Sequence, residues 1–176
     1  AAKQNYEQAG RIRDQIIAMR AIQQQQIIID PHADKNIDVL GVAHVGRSAC
    51  VHILNIRDGR MLGSRQYFPT SELYLEVDAA VILQSFILQY YANLPKGNLF
   101  PSEILVPVEI KDSDLITTAL HKYIHKAIKI SHAVRGDRAR WIQMAQSSAQ
   151  ESLRSRLKAD AEVEEQLQVL GNALGI

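Results

Sequence analysis

Residues 39–68 read VLGVAHVGRSACVHILNIRDGRMLGSRQYF and carry the clearest structural signal in the chain. Three runs in this stretch are rich in apolar and branched residues, as β-strands are, at 39–43, 49–56 and 61–68. The dipeptide Asp58-Gly59 separates the last two runs, and glycine accepts the positive φ that a two-residue hairpin turn needs. The stretch therefore predicts a meander of three antiparallel strands.

Beyond the meander the pattern becomes helical. Apolar spacing and capping residues predict helices at 72–92, 113–126 and from 136 nearly to the end, with an interruption near 159–160. Short apolar runs predict strands at 103–106 and 127–132. Two strand–helix–strand crossovers after a meander favour a mixed sheet. We therefore predict a mixed α/β fold with the ribonuclease H-like order β-β-β-α-β-α-β-α, an N-terminal helix and a long C-terminal helix.

Composition excludes several classes of protein. With 47% hydrophobic and 22% charged residues, the chain has the balance of an ordinary globular protein, and its apolar runs are too short to span a membrane. The single cysteine, Cys50, excludes an internal disulfide and a cysteine-based metal cluster, so we expect a cytoplasmic protein. The net charge of +1 conceals a basic stretch at 121–140 and an acidic one at 160–165.

Four segments resemble one family. Residues 5–16, NYEQAGRIRDQI, resemble the second half of the UVR motif, a helical hairpin of the excision-repair proteins UvrB and UvrC. The segments IDVLGVA at 37–43, GRMLGSRQYFP at 59–69 and RGDRARW at 135–141 resemble the middle of UvrC, the nuclease of that repair system. Their order and spacing also agree, so the chain resembles an internal segment of the UvrC family.

The resemblance implies a role in nucleotide excision repair. The parent protein makes both incisions around a lesion in double-stranded DNA, with Mg²⁺ as the expected cofactor, and its two nuclease domains lie before and after this segment. We therefore expect a non-catalytic scaffold, without a cofactor of its own, that links recruitment of UvrB and placement on damaged DNA to those nuclease domains. The expected units are a partial UVR hairpin at 1–29, a degenerate ribonuclease H-like domain at 30–135, and a helical extension at 136–176.

Four basic residues are the candidate DNA contacts. They surround the predicted start of the last helix, where exposed backbone N–H groups and arginine forks suit a phosphate. These residues are Lys129, Arg135, Arg138 and Arg140. The alternative is that the arginines pair internally with acids of the final helix, such as Glu162 and Glu164.

Three apolar residues are the candidate partner contacts. Tyr6, Ile12 and Ile16 form one stripe of the N-terminal helical pattern. In the family the UVR hairpin pairs with its counterpart in UvrB, and burial of an aromatic and two isoleucines would favour that association. The alternative is that the stripe packs on the strands of this chain.

A second function remains open, that of a metal-dependent nuclease of ribonuclease H-like type. Such an enzyme needs clustered carboxylates to hold two Mg²⁺ ions, and the available set is Asp38, Glu103 and Asp112. Asp38 lies at the entry of the first strand, however, and Asp112 is typical of a helix cap.

Other reactive side chains have ordinary interpretations. The pair His121 and His125 has the spacing of a zinc pair, but the neighbouring lysines favour a solvated basic face. We interpret Trp141 as a core residue rather than a base-stacking platform, and Cys50 as a small core residue.

Overall fold

The computed structural model of the chain describes residues 36–69, 78–95 and 99–174. Within these ranges the strands are β1 (Ile37–Val45), β2 (Ser48–Arg57), β3 (Arg60–Tyr67), β4 (Glu103–Leu105) and β5 (Lys129–Ser131). The helices are α1 (Ala79–Ala92), α2 (Ser113–Ile124) and α3 (Asp137–Leu174).

The five strands form one mixed sheet in the order β3-β2-β1-β4-β5. Strands β1, β2 and β3 pair antiparallel, as the predicted meander requires, whereas β4 pairs parallel to β1 and β5 parallel to β4. The order of elements and the two crossovers confirm the predicted mixed α/β, ribonuclease H-like arrangement.

Helices cover both faces of the sheet. Alternate side chains of a strand point to opposite faces, so Leu40 and Val42 of β1 pack in the cluster that includes residues of α1 and α2. Val39 packs on the other face, in a cluster that includes Trp141 and Ala145 of α3. Burial on both faces explains why β1 reads as a nearly continuous apolar run. Trp141 is only 6% exposed, which confirms its prediction as a core residue.

The helix ends differ in detail from the prediction. Of the helix predicted at 72–92, the described part is α1, and 70–77 lie outside the described residues. Helix α2 ends at Ile124 because His125 adopts a left-handed φ of 56° and donates its N–H to the carbonyl of His121. The interruption predicted near 159–160 is wrong, since α3 is continuous there and Arg156 pairs with Asp160 along it at 3.2 Å.

Helix α3 approaches β1 unusually closely at Gly41. A Cβ atom at this glycine would lie 2.1 Å from the carbonyl oxygen of Ala145, so only glycine fits beneath the helix backbone. One residue further along each element, Gln146 receives the N–H of Val42 at 3.0 Å and donates its amide to the Val42 carbonyl at 2.7 Å. Strand β4 pairs with β1 only as far as Val39, so the Gln146 side chain replaces a missing strand beside Val42.

The long helix α3 has 38 residues, but its sequence is charged. Neither α3 nor another helix within the described ranges is apolar enough to cross a membrane.

Candidate nucleic-acid interface and carboxyl-end crevice

Three of the four predicted DNA contacts are exposed. Lys129 lies on the edge strand β5, Arg135 in the connection between β5 and α3, and Arg140 in the first turn of α3. The side chain of Arg140 is 83% exposed, and its nearest acid, Asp137, is 3.5 Å away and also solvated. An exposed ion pair of this kind contributes little, so Arg140 stays available to an anion from solution.

Arg138 has a different role, because it forms an ion pair with the buried carboxylate of Glu103 in β4. The hydroxyl of Ser131 in β5 donates a hydrogen bond of 2.6 Å to the same carboxylate. Burial by itself would raise the pKa of Glu103, but the interactions with Arg138 and Ser131 outweigh it and hold that pKa below its usual range. Arg138 therefore fastens the start of α3 to β4 and β5.

Arg138 thus pairs internally, as the alternative interpretation predicted, but its partner is not an acid of the final helix. Glu162, which we named as a partner, lies 3.9 Å from Lys158 on α3 instead. The acid that Arg138 meets belongs to a strand 35 positions earlier, and only the crossover topology brings the two together.

Asp38 is buried and fully engaged. Its carboxylate forms an ion pair of 2.7 Å with Arg57 and accepts hydrogen bonds from Asn55 at 2.9 Å and from the Tyr91 hydroxyl at 2.7 Å. Burial first, and then the Asp38 charge, raise the pKa of Tyr91, so this hydroxyl stays protonated and donates. The cluster ties β1, β2 and α1 together.

The three carboxylates of the nuclease alternative are not brought together. Asp38 is opposite Ile104 in the parallel register, so the side chain of Glu103 points to the other face of the sheet. Asp38 meets Tyr91 of α1, whereas Glu103 meets Arg138 of α3. Asp112 is exposed before α2, and its predicted side-chain cap bond does not form. In the described ranges no group of three or more His, Cys, Asp or Glu side chains could hold a metal ion.

A crevice of about 520 Å³ opens at the carboxyl end of β1, between α3 and the start of α1. This is where open α/β sheets usually bind ligands, because β1 has its chain neighbour β2 on one side and the later strand β4 on the other. The polar side chains that line it are His44, Gln146, Gln150 and Arg154. The described lining includes no carboxylate, although a two-metal nuclease would need several there.

The remaining reactive groups are structural or solvated. His121 and His125 are exposed, and His125 lies beyond the end of α2, so they do not share a helical face as a zinc pair would. Cys50 is fully buried against Ala149 and Leu153, which confirms it as a core residue. Burial raises the pKa of its thiol to about 11, although a hydrogen bond with Ser152 opposes the rise.

His52 is a buried strand residue whose sequence context indicated no special role. It lies on β2, is 8% exposed, and its Nδ1 has no hydrogen-bond partner in the described part of the chain. Burial lowers the pKa of the imidazole from its ordinary 6.5. As the pH falls, His52 in the unfolded chain therefore takes up a proton at a higher pH than His52 in the folded chain. The free energy of unfolding decreases as the pH drops below the pKa of His52 in the unfolded chain.

We expect the replacement His52→Gln to remove part of that pH dependence. Urea unfolding of the wild type between about pH 7.5 and about pH 5 should show a falling free energy of unfolding, and the fall should be smaller in the variant. The matched control is His44→Gln, which makes the same replacement at an exposed position of β1. Equal slopes in the wild type and His52→Gln would contradict the prediction.

The predicted partner contacts Tyr6, Ile12 and Ile16 lie outside the described residues.

A family model described as "UvrC Ribonuclease H-like domain" matches residues 36–156, which covers β1 to the first half of α3. The chain belongs to the UvrC family. The resemblance predicted from residues 37–43, 59–69 and 135–141 is thereby confirmed, and the match continues into the part of α3 that packs on the sheet.

Curated relatives in the UvrC family extend the match over nearly the whole chain. UvrABC system protein C of Photobacterium profundum is 37% identical over 173 residues, which is 98% of this chain and 28% of that protein. The protein of the same name from Yersinia pseudotuberculosis is 36% identical over 97% of this chain and 27% of its own length. The chain thus spans little more than a quarter of the relatives it matches.

Solved structures give a weaker likeness. The ribonuclease H2 from Pyrococcus horikoshii is 13% identical, with a TM-score of 0.39 over 76% of this chain and 77% of that one. An RNase H1 in complex with an RNA/DNA hybrid gives a TM-score of 0.36 over 68% of this chain and 99% of that chain, at 12% identity.

Proposed function

We propose that this chain is a non-catalytic scaffold segment of the UvrC excision-repair endonuclease. In this role it holds the parent protein on damaged double-stranded DNA and links UvrB recruitment to nuclease domains that lie elsewhere in the parent. Mg²⁺ would serve those nuclease domains, and this segment would use no cofactor.

One observation carries the non-catalytic part of the proposal. The described lining of the carboxyl-end crevice offers His44, two glutamines and Arg154 where a two-metal nuclease would need carboxylates. Asp38 and Glu103, which could have supplied them, face opposite sides of the sheet and are each neutralised by an arginine. Metal-dependent nicking of a DNA duplex by this chain would contradict the proposal.

DNA contact is assigned to the exposed cations around the start of α3. Lys129, Arg135 and Arg140 remain solvated there, whereas Arg138 is occupied by Glu103. A duplex phosphate near Gly136 could meet both arginine forks. Arg138 would act indirectly, by holding the helix start in place.

The test is fluorescence anisotropy of a labelled bubble duplex at several salt concentrations. We expect Arg135→Ala with Arg140→Ala to weaken binding and to flatten the plot of log K against log salt by about 2, because each lost phosphate contact removes about 0.9. Arg138 stays unchanged so that the fold is not disturbed.

The matched control removes two exposed arginines elsewhere, through Arg60→Ala with Arg154→Ala. This variant carries the same net charge, and its salt slope should stay at the wild-type value. If both double variants lost the same DNA affinity, only the net charge of the chain would determine binding, and the assignment to Arg135 and Arg140 would be wrong. If the wild type did not bind DNA at low salt, the proposed DNA role would be wrong.

The UvrB part of the proposal depends on Tyr6, Ile12 and Ile16. It is supported by the UVR resemblance at 5–16 and by the family membership of the chain.

A further inference from the structure

A continuous groove lies between β3 and the second half of α1, on the face of the sheet away from α3. It consists of two adjoining cavities of about 390 Å³ and about 430 Å³, and Tyr90 and Leu94 line both. We call it the β3–α1 groove. It is separate from the basic surface around Arg135 and Arg140 and from the carboxyl-end crevice.

One wall of the groove is an open sheet edge. Strand β3 ends the sheet and pairs only with β2 among the described strands, so one side of its backbone offers unpaired N–H and C=O groups. At eight residues it is long for an edge strand, and beyond the register shift opposite Asn55 and Ile56 it pairs regularly with β2 from Gly63 to Tyr67. An extended segment can add to such an edge as a further strand and place alternate side chains in neighbouring pockets.

The groove offers an apolar pocket beside that edge. Tyr67, Phe86 and Tyr90 pack with ring centroids 5.3–5.4 Å apart and line one end of the groove. At the other end Leu62 and Leu99 line the groove and are 63% and 67% exposed, so both can contact a bound segment.

Gly63 leaves open space in the wall of the groove. Its backbone lies outside the left-handed region, and a Cβ atom built on it would have no neighbour within 4 Å among the described residues. The contrast with Gly41 is direct, because there the backbone of α3 occupies the space. Gly63 also lies beside the register shift between Asn55 and Ile56, and glycine within a strand marks either such a bulge or a place where another backbone can approach closely.

Charge decides which partner fits. Strand β3 carries Arg60 and Arg65 and no acid, and Arg65 lines the groove. The one acid of the described lining, Asp38, is already paired with Arg57. Two β3 strands from separate copies would oppose like charges, which disfavours self-pairing, whereas a carboxylate would meet Arg65 favourably.

We propose that the β3–α1 groove binds an extended segment of a partner protein that carries apolar side chains and a carboxylate. The segment adds to the open edge of β3, places an apolar side chain against Tyr67, Phe86 and Tyr90, and pairs its carboxylate with Arg65. This surface includes neither Arg135 nor Arg140. The peptide-binding proposal can therefore be tested independently of the DNA-binding proposal.

The experiment selects ligands from a random peptide library displayed on phage, with the chain as bait and its Gly63→Val variant as the counter-selection target. A Cβ atom at Gly63 meets no atom of the described residues within 4 Å, so Gly63→Val should narrow the groove, and thermal unfolding should show that the variant remains folded. We expect acidic, apolar peptides that bind about tenfold more weakly to Gly63→Val and to Arg65→Glu than to the wild type. Bound peptide should slow amide hydrogen exchange in β3.

The control is Gln66→Val, on the same strand but on the opposite face, where Gln66 meets Ser152 of α3. It should bind the selected peptides as the wild type does. Failure to recover peptides that prefer the wild type, or unchanged exchange in β3, would overturn the proposal. Binding of a labelled oligothymidylate that Gly63→Val abolishes would assign the groove to nucleic acid instead, and a dimer lost in that variant would assign it to a second copy.

Discussion

Replacing Asp38 with alanine is expected to lower the free energy of unfolding by about 3–5 kcal/mol, because a buried ion pair would lose one partner. Asp38 is 2% exposed and Arg57 9%, so solvent cannot replace the lost charge. The guanidinium would keep only its hydrogen bonds to the carbonyls of Ile37, Ile56 and Leu99. Urea titration at neutral pH measures the change.

Two variants make this prediction specific. Asp112 is the other aspartate of the nuclease alternative and is exposed. Asp112→Ala should lower the free energy of unfolding by no more than about 0.5 kcal/mol. Asp38→Leu with Arg57→Met removes both charges and should recover part of the loss. A metal ligand would behave differently, since its removal would not weaken a metal-free protein. An Asp38→Ala chain as stable as the wild type would therefore refute the structural role.

The second large effect is expected at Gly41. In Gly41→Ala the added Cβ would lie 2.1 Å from the Ala145 carbonyl oxygen and 2.5 Å from the Gln146 nitrogen, and all these neighbours are backbone. Helix α3 would have to move off β1, which also breaks the two hydrogen bonds between Gln146 and Val42. We expect a loss of about 3 kcal/mol or more in the free energy of unfolding, at the upper end of overpacking effects.

Gly63 supplies the matched control in the same sheet. In Gly63→Ala the added Cβ meets no atom of the described residues within 4 Å. The variant should therefore be neutral or stabilise by up to about 1 kcal/mol, through reduced backbone freedom in the unfolded chain. Chemical denaturation of both alanine variants gives the comparison. If the two variants lost the same stability, the close approach of α3 to Gly41 would not be the cause.

Much of the fold was predictable because its signals are local. The hairpin at Asp58-Gly59 forms as the dipeptide predicts, and both turn residues adopt positive φ. Crossover connections then left few arrangements for β4 and β5. The end of α2 was not predictable in the same way. His125 adopts the left-handed φ that ends the helix, and this conformation is usually indicated in a sequence by a glycine.

The candidate site was predictable only in part, because its pairings join distant segments. A basic stretch at 121–140 can be read directly, but that Arg138 is bound while Arg140 is solvated depends on Glu103 lying beside the start of α3. Likewise, Asp38 could be recognised as an isolated acid. Its engagement with Arg57, Asn55 and Tyr91 follows from the register of β1 with β2 and from the position of α1. The β3–α1 groove has no motif at all.

The hydrogen bonds of Gln146 also bear on the order in which the protein can fold. Val42 lies 104 residues before Gln146, whose side chain satisfies the backbone hydrogen bonds of Val42. The entropy cost of closing this long loop must therefore be overcome before the two hydrogen bonds form. On the ribosome the three strands of the meander would emerge early, with the backbone of Val42 still unpaired. The domain can reach its native state only after α3 has left the exit tunnel, and until then the face of the sheet that α3 covers is exposed on the nascent chain.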